Sequence, residues 1–168
     1  MASTQSWTEY NGASAATATA SRAEANWKRI DDSTTAYTSS PINSTNNENS
    51  MTKYQALVFA GTWNSLSVGT YKVDNNAPAT GLSIVGSVVT SGTTPATTAS
   101  GDSALSTTGV SFNFNNSTTP YGAGTSSSTA SGTMYANALR TQLQTTSSYA
   151  GGPGDITSRT VTASWTES

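Results

Sequence analysis

Hydrophobic residues concentrate most densely between Thr52 and Val73, and their pattern predicts β-structure. The first half of this stretch is apolar on both sides of an extended chain, which is typical of a strand covered on both faces. The second half resumes an alternation that Gly69 interrupts, which indicates a bulge. A turn at Gly61 or at Asn64–Ser65 would make the stretch a central hairpin. The first half places Tyr54, Ala56 and Val58 on one face and Leu57 and Phe59 on the other.

Shorter alternating runs predict the remaining strands. The clearest is the last one, which has the period of a half-buried strand and sets Arg159, Val161, Ala163 and Trp165 against Thr160, Thr162 and Ser164. A strand over Ala23–Ile30 would turn Trp27 inward, and Leu82–Val89 and Val110–Phe114 also alternate. Met134–Thr145 fits both a helix and a strand, and we interpret it as a strand because its continuation is rich in threonine.

Short strands separated by loops, with no convincing helix, predict an all-β fold. The expected architecture is a single antiparallel β-sandwich, immunoglobulin-like or jelly-roll, over residues 22–168. Three aromatic side chains lie on alternating apolar faces and are predicted to fill its core: Trp27, Phe59 and Trp165.

Residues 1–21 have a different character, because they are mostly Ala, Ser and Thr with two aromatics, Trp7 and Tyr10. This segment is too polar to form a core of its own, so we expect an extended N-terminal arm. Tryptophan and tyrosine are typical interface anchors, since each buries a large apolar area while keeping one polar group. We therefore predict that Trp7 and Tyr10 dock the arm on a neighbouring subunit.

The composition narrows the range of partners and chemistries. Only 34% of the residues are hydrophobic and 10% charged, with a net charge of −2, and serine and threonine make up the difference. A chain with no basic stripe is not expected to bind nucleic acid, because it cannot displace counterions from phosphates. Histidine and cysteine are absent, which excludes imidazole bases, disulfides and thiolate chemistry.

We expect neither export nor membrane contact from the sequence itself. The first residues contain no basic region followed by an apolar one, as a signal peptide would. No run approaches the roughly 20 apolar residues that cross a bilayer as a helix.

Three short motifs resemble catalytic ones, and each has a simpler interpretation. Gly101-Asp102-Ser103 looks like the nucleophile segment of a serine hydrolase, but without histidine the serine lacks its usual base. Ser50-Met51-Thr52-Lys53 matches the S-x-x-K of serine acyl-enzymes, without the K-T-G element of that family. Asp31-Asp32 would suit a glycosidase pair, yet adjacent carboxylates point to opposite sides of a strand, and a turn fits better. We therefore predict no catalytic residues and no enzyme activity.

Oxygen-rich segments raise the question of calcium. Asp74 is followed by Asn75 and Asn76, and Glu48 stands among asparagines. A calcium loop would need a spaced series of carboxylates, and the sequence contains none. We accordingly predict no metal and no cofactor.

Two parts of the chain, roughly residues 23–73 and 134–167, carry a recognisable series of motifs. Those of the first part are Asn26-Trp27-Lys28, Asp31-Asp32-Ser33-Thr34, Ala36-Tyr37, Ser40-Pro41-Ile42, Asn49-Ser50, Lys53-Tyr54-Gln55 and Gly61-Thr62, and the second part ends in the segment Thr160–Glu167. In these motifs the chain resembles small structural proteins of tailed bacteriophages, and Thr160–Glu167 is similar to the C-terminal strand of that group.

The resemblance implies a virion component assembled in the host cytoplasm, and in the first place a capsid decoration (cement) protein. A neck, collar or tail-attached protein is the second choice. Its partners would be other virion proteins, such as the major capsid or neck proteins, and further copies of itself. The group contributes no catalytic or ligand residues.

One alternative of another class stays open. A carbohydrate-binding or adhesin-like sandwich would use an exposed aromatic as a platform on which a sugar ring stacks. Trp63 and Tyr121 are the candidates for that role.

Overall fold

The computed structural model describes residues 3–11, 17–22, 26–73, 79–89, 111–113, 121–122, 126–150 and 160–168. Within them lie nine strands, all in one hydrogen-bonded antiparallel sheet, and two single-turn 3-10 helices at Tyr37–Ser39 and Ser44–Asn46. The predicted all-β, antiparallel fold is confirmed, while its finer description as a sandwich stays a prediction. The strands are β1 (Thr4–Asn11), β2 (Thr17–Ala20), β3 (Lys53–Val73), β4 (Leu82–Val89), β5 (Ser111–Asn113), β6 (Tyr121–Gly122), β7 (Ser126–Tyr135), β8 (Ala138–Thr145) and β9 (Val161–Glu167).

The sheet is built around β3, a strand of 21 residues rich in β-branched and aromatic side chains. The predicted hairpin within it is wrong, because β3 remains paired where a turn was expected. Gly61 lies opposite Gly132 of β7, with φ of 132° and 133° respectively. Such angles strain any residue that carries a Cβ, so glycine at both facing positions allows the two strands to stay paired there.

Different strands cover successive parts of β3. Along one edge β1 pairs with residues 54–60 and β9 with residues 66–73. Along the other edge β8, β7 and β6 follow one another, and β8 continues the sheet to β4 and β5. The predicted bulge at Gly69 is confirmed by a register shift between Val68 and Thr70. The ambiguous segment Met134–Thr145 is extended, as predicted, and contributes to β7 and β8.

The expected arm over residues 1–21 is wrong for the parts that form β1 and β2. Strand β1 lies between β2 and β3 rather than outside the domain, with Tyr10 opposite Tyr54. Tyr10 is only 1% exposed. The predicted boundary at residue 21 therefore does not separate an arm from the body of the fold. Polar composition suggested a solvated segment, but several polar residues of β1 are buried and paired inside the protein.

Two apolar clusters lie against opposite faces of β3, which confirms that its first half is covered on both sides. Tyr54 and Ala56 belong to a small cluster with Tyr10 and Ala138. The larger cluster contains Leu57, Phe59, Trp63, Leu66, Tyr71, Leu82, Ile84, Met134, Ala136, Leu139 and Leu143.

The three predicted core aromatics differ in burial. Phe59 has no exposed surface. Trp27 is partly buried against the larger cluster, in a segment that is not a strand over residues 26–30, and its Nε1 donates to Thr141 Oγ1 at 3.1 Å. Trp165 is 38% exposed, so its placement in the core is wrong. Alternation in β9 identified the correct face but not how far other elements cover it.

Candidate functional site

A cluster of charged and amide side chains lies where β1, the start of β3 and the segment 28–35 meet. We call it the lysine cluster and define it as Glu9, Asn11, Lys28, Asp31, Asp32 and Lys53. Lys28 and Lys53 are 2% and 1% exposed, in a chain that has only seven Lys and Arg residues. Lysines are almost never fully buried unless they are paired, so each needs an identified partner.

Lys53 joins the first strand to the central one. Its Nζ lies 3.1 Å from Glu9 Oε1 and donates to the backbone oxygen of Asp32, also at 3.1 Å. The two side chains of the pair are 0% and 4% exposed. Removing one partner of such a buried pair leaves an uncompensated charge, which typically costs about 3–5 kcal/mol.

The amide of Asn11 lies beside this pair. One of its side-chain atoms is 2.9 Å from Glu9 Oε1 and 3.0 Å from Asp31 Oδ1. Two carboxylate oxygens require a donor, so we assign that atom as the amide nitrogen. The opposite assignment would let the amide oxygen accept a 3.3 Å hydrogen bond from Lys53 Nζ, but it would set that oxygen against both carboxylates.

Lys28 has a separate carboxylate partner within its own segment. Its Nζ lies 2.7 Å from Asp32 Oδ1 and donates to Thr35 O at 2.5 Å. Asp32 also accepts hydrogen bonds from Thr34 N at 3.0 Å and from Thr35 N at 2.8 Å. The hydrogen bond from Lys28, followed by those from Thr35, holds the pKa of Asp32 well below its usual range. Asp32 thus forms the expected turn and not half of a glycosidase pair.

Ser50 and Lys53 do not form the acyl-enzyme pair that their spacing suggests. The Ser50 hydroxyl donates to Met51 O at 2.9 Å and accepts from Leu143 N at 3.0 Å, while Lys53 is held by Glu9. The hydrogen bond from Leu143 to Ser50 therefore holds the loop before β3 against β8.

The remaining candidates for a catalytic or calcium site are Ser103, the segment 74–76 and Glu48. Ser103 and the segment 74–76 lie outside the described residues. Glu48 accepts from Asn43 N at 2.8 Å and pairs with Arg29 at 3.2 Å, so its carboxylate is occupied within the protein. Among the described residues no group of three or more carboxylate, histidine or cysteine side chains is placed to hold a metal ion.

The two predicted interface aromatics are found inside the fold. Trp7 is partly buried, and its ring centroid lies 5.6 Å from that of Tyr71. The Tyr10 hydroxyl is buried without a hydrogen-bond partner in the described part of the chain. Burial, and to a lesser extent the charge of Tyr135, raises the pKa of Tyr10 to about 12. Tyr10 is therefore unsuited to anchor a neighbouring subunit in this conformation.

The predicted sugar platforms also need revision. Trp63 is 1% exposed and so presents no ring face for a sugar, while the side chain of Tyr121 lies outside the described residues. Trp165 is instead the exposed tryptophan, and its ring packs edge-on against Phe59 with a centroid distance of 5.7 Å.

On the side of β9 opposite to Trp165, hydroxyl residues of β9 and β3 form a surface that we call the hydroxyl face. Ser67 pairs with Thr166 across the two strands, and Lys72 pairs with Thr162. The exposed hydroxyl residues of this face are Ser67, Thr162, Ser164 and Thr166. Lys72 contributes its charge at one end.

Ser3 contacts Glu167, and Ser168 contacts β3. The Ser3 hydroxyl and backbone N–H donate to Glu167 at 2.7 and 2.6 Å, and these hydrogen bonds lower the pKa of Glu167. Ser168 N donates to Ser65 O at 3.0 Å. The edge of β3 is therefore covered by β1 and β9 in succession.

Comparisons with protein-family models, with curated proteins and with solved structures find no match to this chain. No helix among the described residues is long and apolar enough to cross a membrane.

The sequence contained a weak signal for the lysine cluster. Glu9 and Asn11 are two positions apart and share one face of β1, and both are 3% exposed. The four-residue spacing of Lys28 and Asp32 is a second hint. Polar residues on the inward face of a strand indicate a buried polar cluster, but this signal could be used only if β1 was recognised as a strand.

Proposed function

We propose that the protein is a non-enzymatic structural protein of a bacteriophage virion, and that it decorates and stabilises the capsid as a cement protein. Its resemblance to small structural proteins of tailed phages, in the motifs between Asn26 and Thr62 and in Thr160–Glu167, supports this proposal. Its partners would be the major capsid protein and other copies of itself, and its location the virion, which assembles in the host cytoplasm.

The structural observation that carries the proposal is that β9 presents the exposed ring of Trp165 on one side and the hydroxyl face on the other. Charged residues are depleted at the centre of protein interfaces, whereas aromatic residues are enriched there. Trp165 combines a large apolar ring, 38% exposed, with a rigid position set by its contact with Phe59. The serine and threonine residues of the hydroxyl face, on the opposite side of β9, add hydrogen-bonding capacity with little cost of desolvating charge.

The internal pairing of charged groups also favours a structural role. Lys53 is paired with Glu9, and Lys28 with Asp32, within the protein. The only potential nucleophile–lysine motif among the described residues, Ser50 with Lys53, is likewise occupied by structural contacts. These side chains stabilise the fold through internal ion pairs and hydrogen bonds, which suits a virion component that must stay rigid.

The location can be tested on native particles that carry a tagged copy of the protein. Gold-labelled antibody seen by electron microscopy should decorate the capsid surface at many sites. Label at the neck or tail would support the second choice, a neck, collar or tail-attached protein. Purified particles without label would overturn the proposal of a virion protein.

The interface can be tested with two matched variants. Trp165 and Ile30 are the large hydrophobic residues exposed in the described part of the chain, at 38% and 42%. Trp165→Ala should lower the occupancy on particles at fixed protein concentration, while Ile30→Ala should leave it near wild type. An equal loss for both variants would contradict the assignment of the interface to Trp165.

A sugar-binding module is the competing function of another class, and Trp165 is the observation that keeps it open. An exposed tryptophan ring is also a suitable stacking surface for a sugar. In that case the isolated monomer should bind glycans on an array, and Trp165→Ala should abolish the binding. Glycan binding by a monomer that is absent from particles would favour this function over the first.

A further inference from the structure

The lysine cluster brings together the three groups needed to form a covalent link between two strands. An amine, an amide and a carboxylate lie within contact distance, on Lys53, Asn11 and Glu9. Lys53 Nζ is 3.3 Å from the Asn11 side-chain atom that we assign as nitrogen and 3.1 Å from Glu9 Oε1. The same Glu9 oxygen is 2.9 Å from that amide nitrogen.

We propose that Lys53 and Asn11 form an intramolecular amide (isopeptide) bond, with Glu9 as the group that carries the protons. The reaction needs no ligand or cofactor and is independent of the function proposed above. It would make this cluster a site of spontaneous self-modification after folding.

The backbone holds the reacting groups in position. Strands β1 and β3 are in register at Tyr10 and Tyr54, so the next positions along them, Asn11 and Lys53, come side by side. The Asp32 carbonyl accepts from Nζ at 3.1 Å and limits its position. Asp31 holds the leaving nitrogen at 3.0 Å. Groups held in this way gain effective molarities of about 10⁵–10⁸ M in favourable intramolecular reactions, which an unreactive amide requires.

The chemistry balances within these three residues. Glu9 removes a proton from the Lys53 ammonium, and the neutral amine attacks Cγ of Asn11 to give a tetrahedral intermediate. When the intermediate collapses, the bond from Cγ to the side-chain nitrogen breaks. The two protons that Nζ loses pass through Glu9 to the leaving nitrogen, which departs as ammonium. Glu9 ends as a carboxylate, as it began, and no oxidant or reductant takes part.

Burial favours this reaction in two ways. Glu9, Asn11 and Lys53 are 3%, 3% and 1% exposed, so bulk water does not compete with the amine for the amide carbon. Transfer of one proton from Lys53 to Glu9 also leaves two neutral groups, and a buried site tolerates those better than separated charges. The product would join the first strand of the sheet covalently to its central strand.

The wild-type protein alone provides the decisive test, by mass spectrometry of the folded, purified chain. The intact mass should be lower than the sequence mass by one ammonia molecule. Trypsin should fail to cut after Lys53, because its side chain is blocked. The digest should therefore contain a branched product, in which the peptide ending at Arg22 is joined to the peptide Ile30–Lys72.

Two variants test the roles of the reacting groups. Glu9→Gln should show the full sequence mass, because the proton carrier is missing. Asn11→Asp should instead lose one water molecule and reach the same final mass as the linked wild type, since both give the same product. This second variant keeps a partner for Lys53 and so preserves the local packing. As a control, Lys72→Arg changes an exposed lysine of the same strand and should retain the loss of ammonia.

Two results would overturn the proposal. One is a folded wild-type protein at its full sequence mass. The other is a loss of ammonia without the branched peptide, which would indicate a cyclic imide at Asn11–Gly12 and not a cross-link. A mild alkaline treatment separates the two products, because the imide hydrolyses and the isopeptide bond persists.

Discussion

Phe59 and Trp165 are in contact but differ in exposure, so they can test whether the exposed fraction of a side chain predicts its contribution to the free energy of unfolding. Phe59 has no exposed surface and Trp165 is 38% exposed, although the sequence pattern gave both the same core role. Truncating a fully buried phenylalanine to alanine typically costs about 3–5 kcal/mol, and we expect Phe59→Ala to fall in this range. For Trp165→Ala we expect a loss of about 1–2 kcal/mol. This is the sum of the burial free energy of a partly exposed ring and an edge-to-face contact of about 0.5–1.5 kcal/mol.

Urea unfolding of the two single variants and of the double variant measures these values and their coupling. The rings lie 5.7 Å apart at 66°, so the coupling free energy should be about 1 kcal/mol. Ile30→Ala is the matched surface control, with an expected change of about 0.5 kcal/mol or less. The reasoning is refuted if Trp165→Ala destabilises the isolated monomer as much as Phe59→Ala does, or if the coupling is zero.

Further predictions concern β1, two titrating groups and Ser50. Deleting residues 3–11 should abolish cooperative thermal unfolding, because β1 pairs with β3 inside the sheet; a truncated protein with the wild-type melting temperature would contradict this. The lowered pKa of Asp32 should stabilise the fold above the unfolded value of about 4 and progressively less as the pH falls towards the folded value, so the stability difference from Asp32→Asn should shrink in acid. Burial raises the pKa of Tyr10 to about 12, so the contribution of Tyr10 to the free energy of unfolding should be complete below about pH 10 and decline above it. Tyr10→Phe removes a hydroxyl that has no partner in the described part of the chain. It should therefore keep or increase stability at neutral pH and remove a late component from the alkaline absorbance titration. Ser50→Ala should cost about 1 kcal/mol for the lost hydrogen bonds, and wild-type Ser50 should not be labelled by fluorophosphonate or β-lactam probes.

Local patterns were reliable where apolar residues alone determined the structure. The two-sided character of Tyr54 to Phe59 matched the two clusters on opposite faces of β3, and Gly69 marked a register shift. The alternation of the last run also matched β9. In each case the deciding information lay within a few residues of the chain.

Longer-range features could not be predicted in this way. Gly61 suggested a turn because its partner Gly132 is far away in sequence, and only their pairing shows that the position lies within a continuous ladder. Strand β1 was missed because Glu9 and Asn11 are polar, and their burial depends on Lys53 and Asp31 from other segments. The site was hidden for the same reason, since buried ion pairs leave no hydrophobic pattern in the sequence.

The long central strand also has a consequence for how the protein is made. Residues 66–73 of β3 pair with β9, with Leu66 opposite Glu167, so this edge cannot close until synthesis has passed residue 167. Until then the nascent chain carries an unpaired strand edge that includes Leu66, Val68 and Tyr71, a state that favours association with other chains. Folds dominated by such distant pairings also form slowly. Rapid synthesis at high concentration should therefore yield more aggregate than slow synthesis at low temperature, even though the finished fold is the same.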